Sequence, residues 1–125
     1  ADWIICSGFD YVQGFDFSDV AVQMSKERTN KDLFQVADVN NWNFATDDYN
    51  CVIALEVFEH INNDLEIIGK IPAGRMVIFS LPTFDDAAHV RYFKKAYQIT
   101  ARYSRYFVAW NMVKIGKHHI INAIR

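Results

Sequence analysis

The stretch Tyr11-Val12-Gln13-Gly14-Phe15-Asp16-Phe17-Ser18 decides how this chain is read. A short apolar run, residues 11–15, has the length of a strand and closes on an acid. Ser18 is suited to cap a helix, and Asp19 in the first turn suits the helix dipole. Val20, Ala21 and Met24 then give an apolar stripe, with Gln23, Lys26, Glu27 and Arg28 turned to water. An acid at the carboxyl end of a buried strand can accept both hydroxyls of a ribose, which is how open α/β sheets hold adenosine-containing cofactors. Asp16 is the first candidate ligand residue on that ground.

The rest of the chain extends the same alternation. Upstream, residues 1–7 read as the last turns of a helix, with Gly8 as its stop. Downstream, residues 29–32 form a polar turn, and a second strand over 33–37 again ends in an acid, Asp38. A polar loop over 40–50 buries Trp42 and Phe44. Residues 51–55 are a near-continuous apolar run, as in a central strand buried on both faces. A helix follows over 62–71, with Leu65, Ile68 and Ile71 inward and Pro72 and Gly74 as its stop. A strand over 76–81 closes on Pro82, a loop runs over 83–90, and 91–103 reads as helical. Strands over 106–115 and 118–124 flank Gly116-Lys117, a two-residue turn with glycine first. The pattern predicts an α/β fold: a Rossmann-like, mostly parallel sheet with helices on both faces, and a C-terminal antiparallel β-hairpin at its end. Asp16, Asp38, Glu56 and the loop after Pro82 all fall at carboxyl ends of strands, where such sheets bind ligands.

A chain of 125 residues suits a single domain, here residues 1–125. Half of the residues are apolar, enough to build a core. The net charge of −2 argues against nucleic-acid or membrane-surface binding. Cys6 and Cys51 both sit in apolar runs and read as free thiols of a reducing compartment. With no bilayer-length apolar run and no signal peptide in view, the expectation is a cytoplasmic protein.

Four segments together carry a family likeness: Val12-Gln13-Gly14-Phe15-Asp16-Phe17-Ser18, Val36-Ala37-Asp38-Val39, residues 50–61 with Leu55-Glu56-Val57-Phe58-Glu59-His60, and residues 72–82. In order and spacing the chain resembles the class I S-adenosylmethionine-dependent methyltransferases of small-molecule type. His89-Val90-Arg91-Tyr92-Phe93 is similar to a segment that follows the fifth strand in several of them. The resemblance implies S-adenosylmethionine as cofactor and a small-molecule methyl acceptor as partner. Asp16 would accept the ribose hydroxyls, and Phe17 would pack on the adenine. Asp38 would accept from the adenine amino group, with the backbone of Val39 helping. Leu55 and Glu56 would lie near the methionine part. The family's first strand and glycine-rich G-x-G-x-G loop have no counterpart in the sequence, so the N-terminal part of the fold is expected to be missing from it.

Other residues keep two readings. Glu59-His60 can serve as a catalytic pair, the histidine as general base, or His60 can pack a turn and bond to backbone. His89 and Arg91 can grip a substrate anion, or Arg91 can form an ordinary salt bridge. His118-His119 reads as surface and core alternation, and no metal site is expected. Residues 91–107 interleave basic and aromatic side chains. They read either as an anion-binding surface or as a helix with an aromatic inner face and a wet basic outer one.

Three functions compete on these grounds. The first is S-adenosylmethionine-dependent methyl transfer to a small molecule. The second is a non-catalytic methyltransferase-like binding or scaffold domain that has lost the cofactor loop. The third is a nicotinamide-dependent oxidoreductase, which would use an acid like Asp16 but would need a second βαβ half. The closing hairpin leaves an edge that could pair with a second copy as a homodimer.

Overall fold

A computed structural model describes residues 12–45 and 48–125 of the chain. The expected helix end over 1–7, its Gly8 stop, Cys6 and the Tyr11 start of the first strand lie outside the described residues. The chain forms two compact units, Ala1–Trp42 and Asn43–Arg125, and each is described by itself.

In the first unit, β1 (Gly14–Asp16) leads into α1 (Asp19–Thr29), which returns to β2 (Phe34–Val36) and a 3-10 turn (Val39–Asn41). The strands are parallel, with Phe15 opposite Gln35 and Asp16 opposite Val36. The predicted cap forms: Ser18 Oγ accepts the Ala21 amide at 3.2 Å, satisfying one of the free donors of the first turn. Asn30 ends α1 in the left-handed region at φ 51°, which asparagine tolerates better than most residues. Gly14 is required by packing. A Cβ there would stand 2.6 Å from Cδ1 of Phe34 on the paired strand. The apolar stripe of α1 differs from expectation. Val22 is its buried residue, whereas Val20 and Met24 are 62% and 65% exposed. Phe15 stacks on Trp42 at a centroid distance of 4.3 Å and closes the loop after β2.

In the second unit the order is β3 (Cys51–Ala54), α2 (Asp64–Lys70), β4 (Met76–Pro82), α3 (Ala96–Tyr103), a 3-10 turn (Ser104–Tyr106), β5 (Ala109–Ile115) and β6 (His118–Ile124). The sheet runs β3-β4-β6-β5. β3 and β4 are parallel; β6 lies antiparallel to both β4 and β5. The hairpin thus folds back so that its second strand, not its first, pairs with β4. The reason is in the side chains: Ile121 and Ala123 of β6 are buried, whereas Val113 and Ile115 of β5 are exposed. Gly116 takes the positive φ of 58° that the two-residue turn requires. Phe79 of β4 centres the core, with Phe58 and Tyr103 edge-on at 5.4 and 5.6 Å. Burial pushes the Cys51 thiol pKa up, and the thiol is free.

The helix expected over 91–103 begins only at Ala96. Residues 90–93 are irregular, with their amides committed elsewhere: that of Val90 bonds to Glu59 O at 2.8 Å and that of Phe93 to Pro82 O at 2.9 Å. Gln98 Oε1 then accepts the Lys95 amide at 2.9 Å and marks the true start. Asp64, fully buried in the first turn of α2, receives Arg102 Nη2 at 2.7 Å and Tyr103 Oη at 2.6 Å, with Arg91 Nη2 at 3.3 Å. Among the described residues no helix is long and apolar enough to cross a membrane.

Candidate functional site

The first unit brings Asp16, Phe17, Asp38 and Val39 to the carboxyl edge of its parallel pair. Parallel strands end at the same edge, and the Ala37 amide bonds to Asp16 O at 2.9 Å just where β2 gives way to Asp38. Asp16 Oδ1 accepts the Ser18 amide at 2.9 Å, which fixes the carboxylate. Asp38 is held in the same way, its Oδ1 accepting Asn40 N at 2.9 Å and Asn40 Nδ2 at 2.8 Å. Both acids are exposed. Phe17, next to Asp16, is 82% exposed, an aromatic face left to solvent at the end of a strand. Two pre-oriented acceptors beside such a face can bind hydroxyls or an amino group and stack a planar ring.

The second unit gathers its candidates after β3. Leu55 and Glu56 follow that strand directly and both are exposed. Glu56 adopts φ 54°, a left-handed backbone that costs a side-chain-bearing residue about 1–2 kcal/mol. Ser80 of β4 holds it there: Ser80 Oγ accepts the Glu56 amide at 2.8 Å and donates to Glu56 Oε1 at 2.5 Å. Oε2 faces His118 Nε2 at 3.2 Å, a pairing that only the hairpin's return creates. Nothing in the sequence around His118 signalled that contact.

Three residues on, Glu59 is 0% exposed, and neither carboxylate oxygen has a hydrogen-bond partner among the described residues. Burial pushes its pKa up to about 7, and the neighbouring Glu56 carboxyl adds to the rise, against smaller lowering effects of its own backbone and of His60. His60 Nδ1 lies 3.0 Å from Ala88 O. A carbonyl only accepts, so Nδ1 carries a proton, and in the neutral ring Nε2 keeps the lone pair. The His89 ring stands edge-on to His60 at 5.0 Å, and its Nδ1 is buried without a partner among the described residues. Glu59, His60 and His89 each place one donor atom within 4.8 Å of the other two. Phe84 walls this group, 5.5 Å from the His89 ring and 5.6 Å from that of His118.

Arg91 does not join that group. Its Nη1 donates to the carbonyls of Phe58 and Ile61, and its Nη2 to Asn62 O at 3.0 Å. The guanidinium therefore clamps the turn that carries Glu59 and His60. His119 is buried, and burial together with Lys114 holds its pKa below the usual histidine value.

Residues 3–71 match a family model described as a methyltransferase domain. No curated protein matches the chain in sequence. Solved structures are similar over most of the chain. One, from Listeria monocytogenes, is described as an S-adenosylmethionine-dependent methyltransferase. It has a TM-score of 0.70 at 12% identity, over 99% of this chain and 84% of that one. The N-methyltransferase NodS from Bradyrhizobium japonicum WM9, in complex with S-adenosyl-L-homocysteine, has a TM-score of 0.58 at 13% identity over 89% of this chain and 64% of NodS. A third, from work on converting a disulfide bond into a thioacetal group during echinomycin biosynthesis, has a TM-score of 0.61 at 12% identity, over 99% and 71%. The fold is thus the α/β, Rossmann-like class I methyltransferase fold.

Proposed function

The chain belongs to the methyltransferase domain family, and from that premise we propose that it binds S-adenosylmethionine and passes the methyl group to a small-molecule acceptor. The observation that carries this reading is Asp16 at the carboxyl end of β1, pre-oriented by the Ser18 amide, with the exposed Phe17 next to it. Asp16 accepts the ribose hydroxyls and Phe17 covers the adenine. Asp38 accepts the adenine amino group beside the backbone of Val39, and Leu55 and Glu56 serve the methionine end. Glu56 suits that task because Ser80 holds its backbone and one oxygen in place, so little conformational freedom is lost on binding.

The sulfonium of the cofactor supplies an activated methyl group. The protein's part is to align donor and acceptor for in-line displacement and to keep water out. On the acceptor side, the proposal places Glu59, His60 and His89. A buried carboxylate and an imidazole with a free Nε2 are Lewis bases, and lone pairs of this kind bind either a proton or a metal ion. Arg91 acts through the turn it clamps, as a positioning residue.

Parallel calorimetric titrations with S-adenosyl-L-homocysteine and with a nicotinamide dinucleotide test the reading, on protein that includes any residues preceding Ala1 in its natural form. Saturable binding of the first alone supports methyl transfer. Binding of the dinucleotide alone favours an oxidoreductase, and binding of neither favours a scaffold domain.

A further inference from the structure

Glu59 poses a physical problem within its own unit. A carboxyl group with no exposure and, among the described residues, no hydrogen bond to either oxygen is costly to bury, most of all when charged. Among the described residues no lysine or arginine pairs with it; the nearby Arg91 is spent on the carbonyls of Phe58, Ile61 and Asn62 and on Asp64. The groups that do face it are electron donors: Glu56 in front, and the rings of His60 and His89. A second orphan points the same way, since His89 Nδ1 is also buried without a partner among the described residues. One cation held by a Glu59 oxygen and by Nδ1 of His89 would satisfy both orphans at once.

We propose that Glu59, His60 and His89 bind one divalent transition-metal ion of the zinc type. Two imidazoles and a carboxylate are the nitrogen and oxygen donors such ions select, and three protein ligands leave a position open for water or an oxygen donor. His60 is prepared for it. The Nδ1 proton is given to Ala88 O at 3.0 Å, which orients the ring and offers Nε2, the backing that metal-bound histidines commonly have. The donor atoms lie within 4.8 Å of one another. Ligand atoms on one tetrahedral ion at about 2.1 Å lie about 3.4 Å apart, so closing the site takes combined side-chain shifts of roughly 1.5 Å. The sequence alone hides the site, because Glu59-His60 and His89 are 29 residues apart and meet only when the Val90 amide docks on Glu59 O.

The inference is independent of methyl transfer and is tested without S-adenosylmethionine. Metal-free protein is titrated calorimetrically with Zn²⁺, and with Co²⁺ while its visible absorption is followed. The expected result is one ion per chain, a cobalt spectrum of mixed nitrogen and oxygen ligation, and at least tenfold weaker binding in each of Glu59→Gln, His60→Ala and His89→Asn. Near-ultraviolet circular dichroism checks that each variant folds. Where a variant does not fold, unsubstituted protein is treated with diethyl pyrocarbonate, which acylates histidine nitrogens, and bound Zn²⁺ should protect His60 and His89. A folded protein without saturable binding overturns the proposal. So does binding that all three substitutions leave unchanged, or protection that spares neither histidine.

Discussion

Ser80 Oγ takes the Glu56 amide at 2.8 Å and gives its own proton to Glu56 Oε1 at 2.5 Å, so one hydroxyl on β4 fixes both the backbone and the carboxyl of a residue two places past the end of β3. That double hold explains why a glutamate can keep φ at 54°. It also ties the candidate methionine-end residue to the centre of the sheet, because Ser80 is buried beside Leu81 and Phe79.

Ser80→Ala removes both bonds and leaves the Glu56 amide without its acceptor. Loss of about 1–3 kcal/mol of stability is expected in denaturant unfolding. Binding of S-adenosyl-L-homocysteine should weaken as well, since Glu56 is then free to leave its strained backbone.

Asp64 holds α2 to α3 through its bonds to Arg102 and Tyr103. Asp64→Ala leaves Arg102, Arg91 and Tyr103 facing a gap, and about 3–5 kcal/mol should be lost. Tyr103→Phe removes one bond and should cost about 1–2 kcal/mol. Both are read by urea or guanidinium unfolding.

The same residue gives a pH signature. Burial opposes the charge of Asp64, but the bonds from Arg102 and Tyr103 and the charges of Arg91 and Arg102 outweigh it, and the pKa lies below the ordinary aspartate value. A depressed folded value means stability that is present above the unfolded pKa, about 3.9, and lost as pH falls through the folded one. The stability gap between wild type and Asp64→Asn should therefore be full at pH 7 and shrink below about pH 4. An unchanged gap on acidification would contradict the network.

Gly14→Ala sets a methyl group 2.6 Å from Cδ1 and 2.7 Å from Cε1 of Phe34. The ring must swing away or β1 must separate from β2, at a cost of about 1–3 kcal/mol. Chemical shifts of Phe34 and Asp16 in a ¹³C–¹H spectrum would show the displacement directly.

Much of this fold was legible because local rules and global fold agree. Ser18 caps α1 as its type predicts, Gly116 makes the hairpin turn, and the apolar runs at 51–55 and 76–81 became paired parallel strands. The misreadings arose where distant groups decide. Nothing near Arg91 in sequence shows that its guanidinium is taken by carbonyls some thirty residues earlier, so a helix was expected where the chain is irregular. The order β4-β6-β5 depends on which hairpin strand can bury a face, and His118 reaches Glu56 only through that order. The sequence also gave no sign that Glu59 would be sealed from water with its oxygens unpaired, or that His89 would come back to it.

The central claim is that the Asp16 carboxylate holds the ribose of an S-adenosyl cofactor. Calorimetric titration of S-adenosyl-L-homocysteine into wild type and into Asp16→Ala, on protein that includes any residues preceding Ala1, tests it most directly. Losing charge-assisted bonds worth about 1.5–3 kcal/mol should weaken binding about 10- to 100-fold while the fold, followed by circular dichroism, is kept. Equal affinity of the two proteins, or no binding by wild type, would contradict the account.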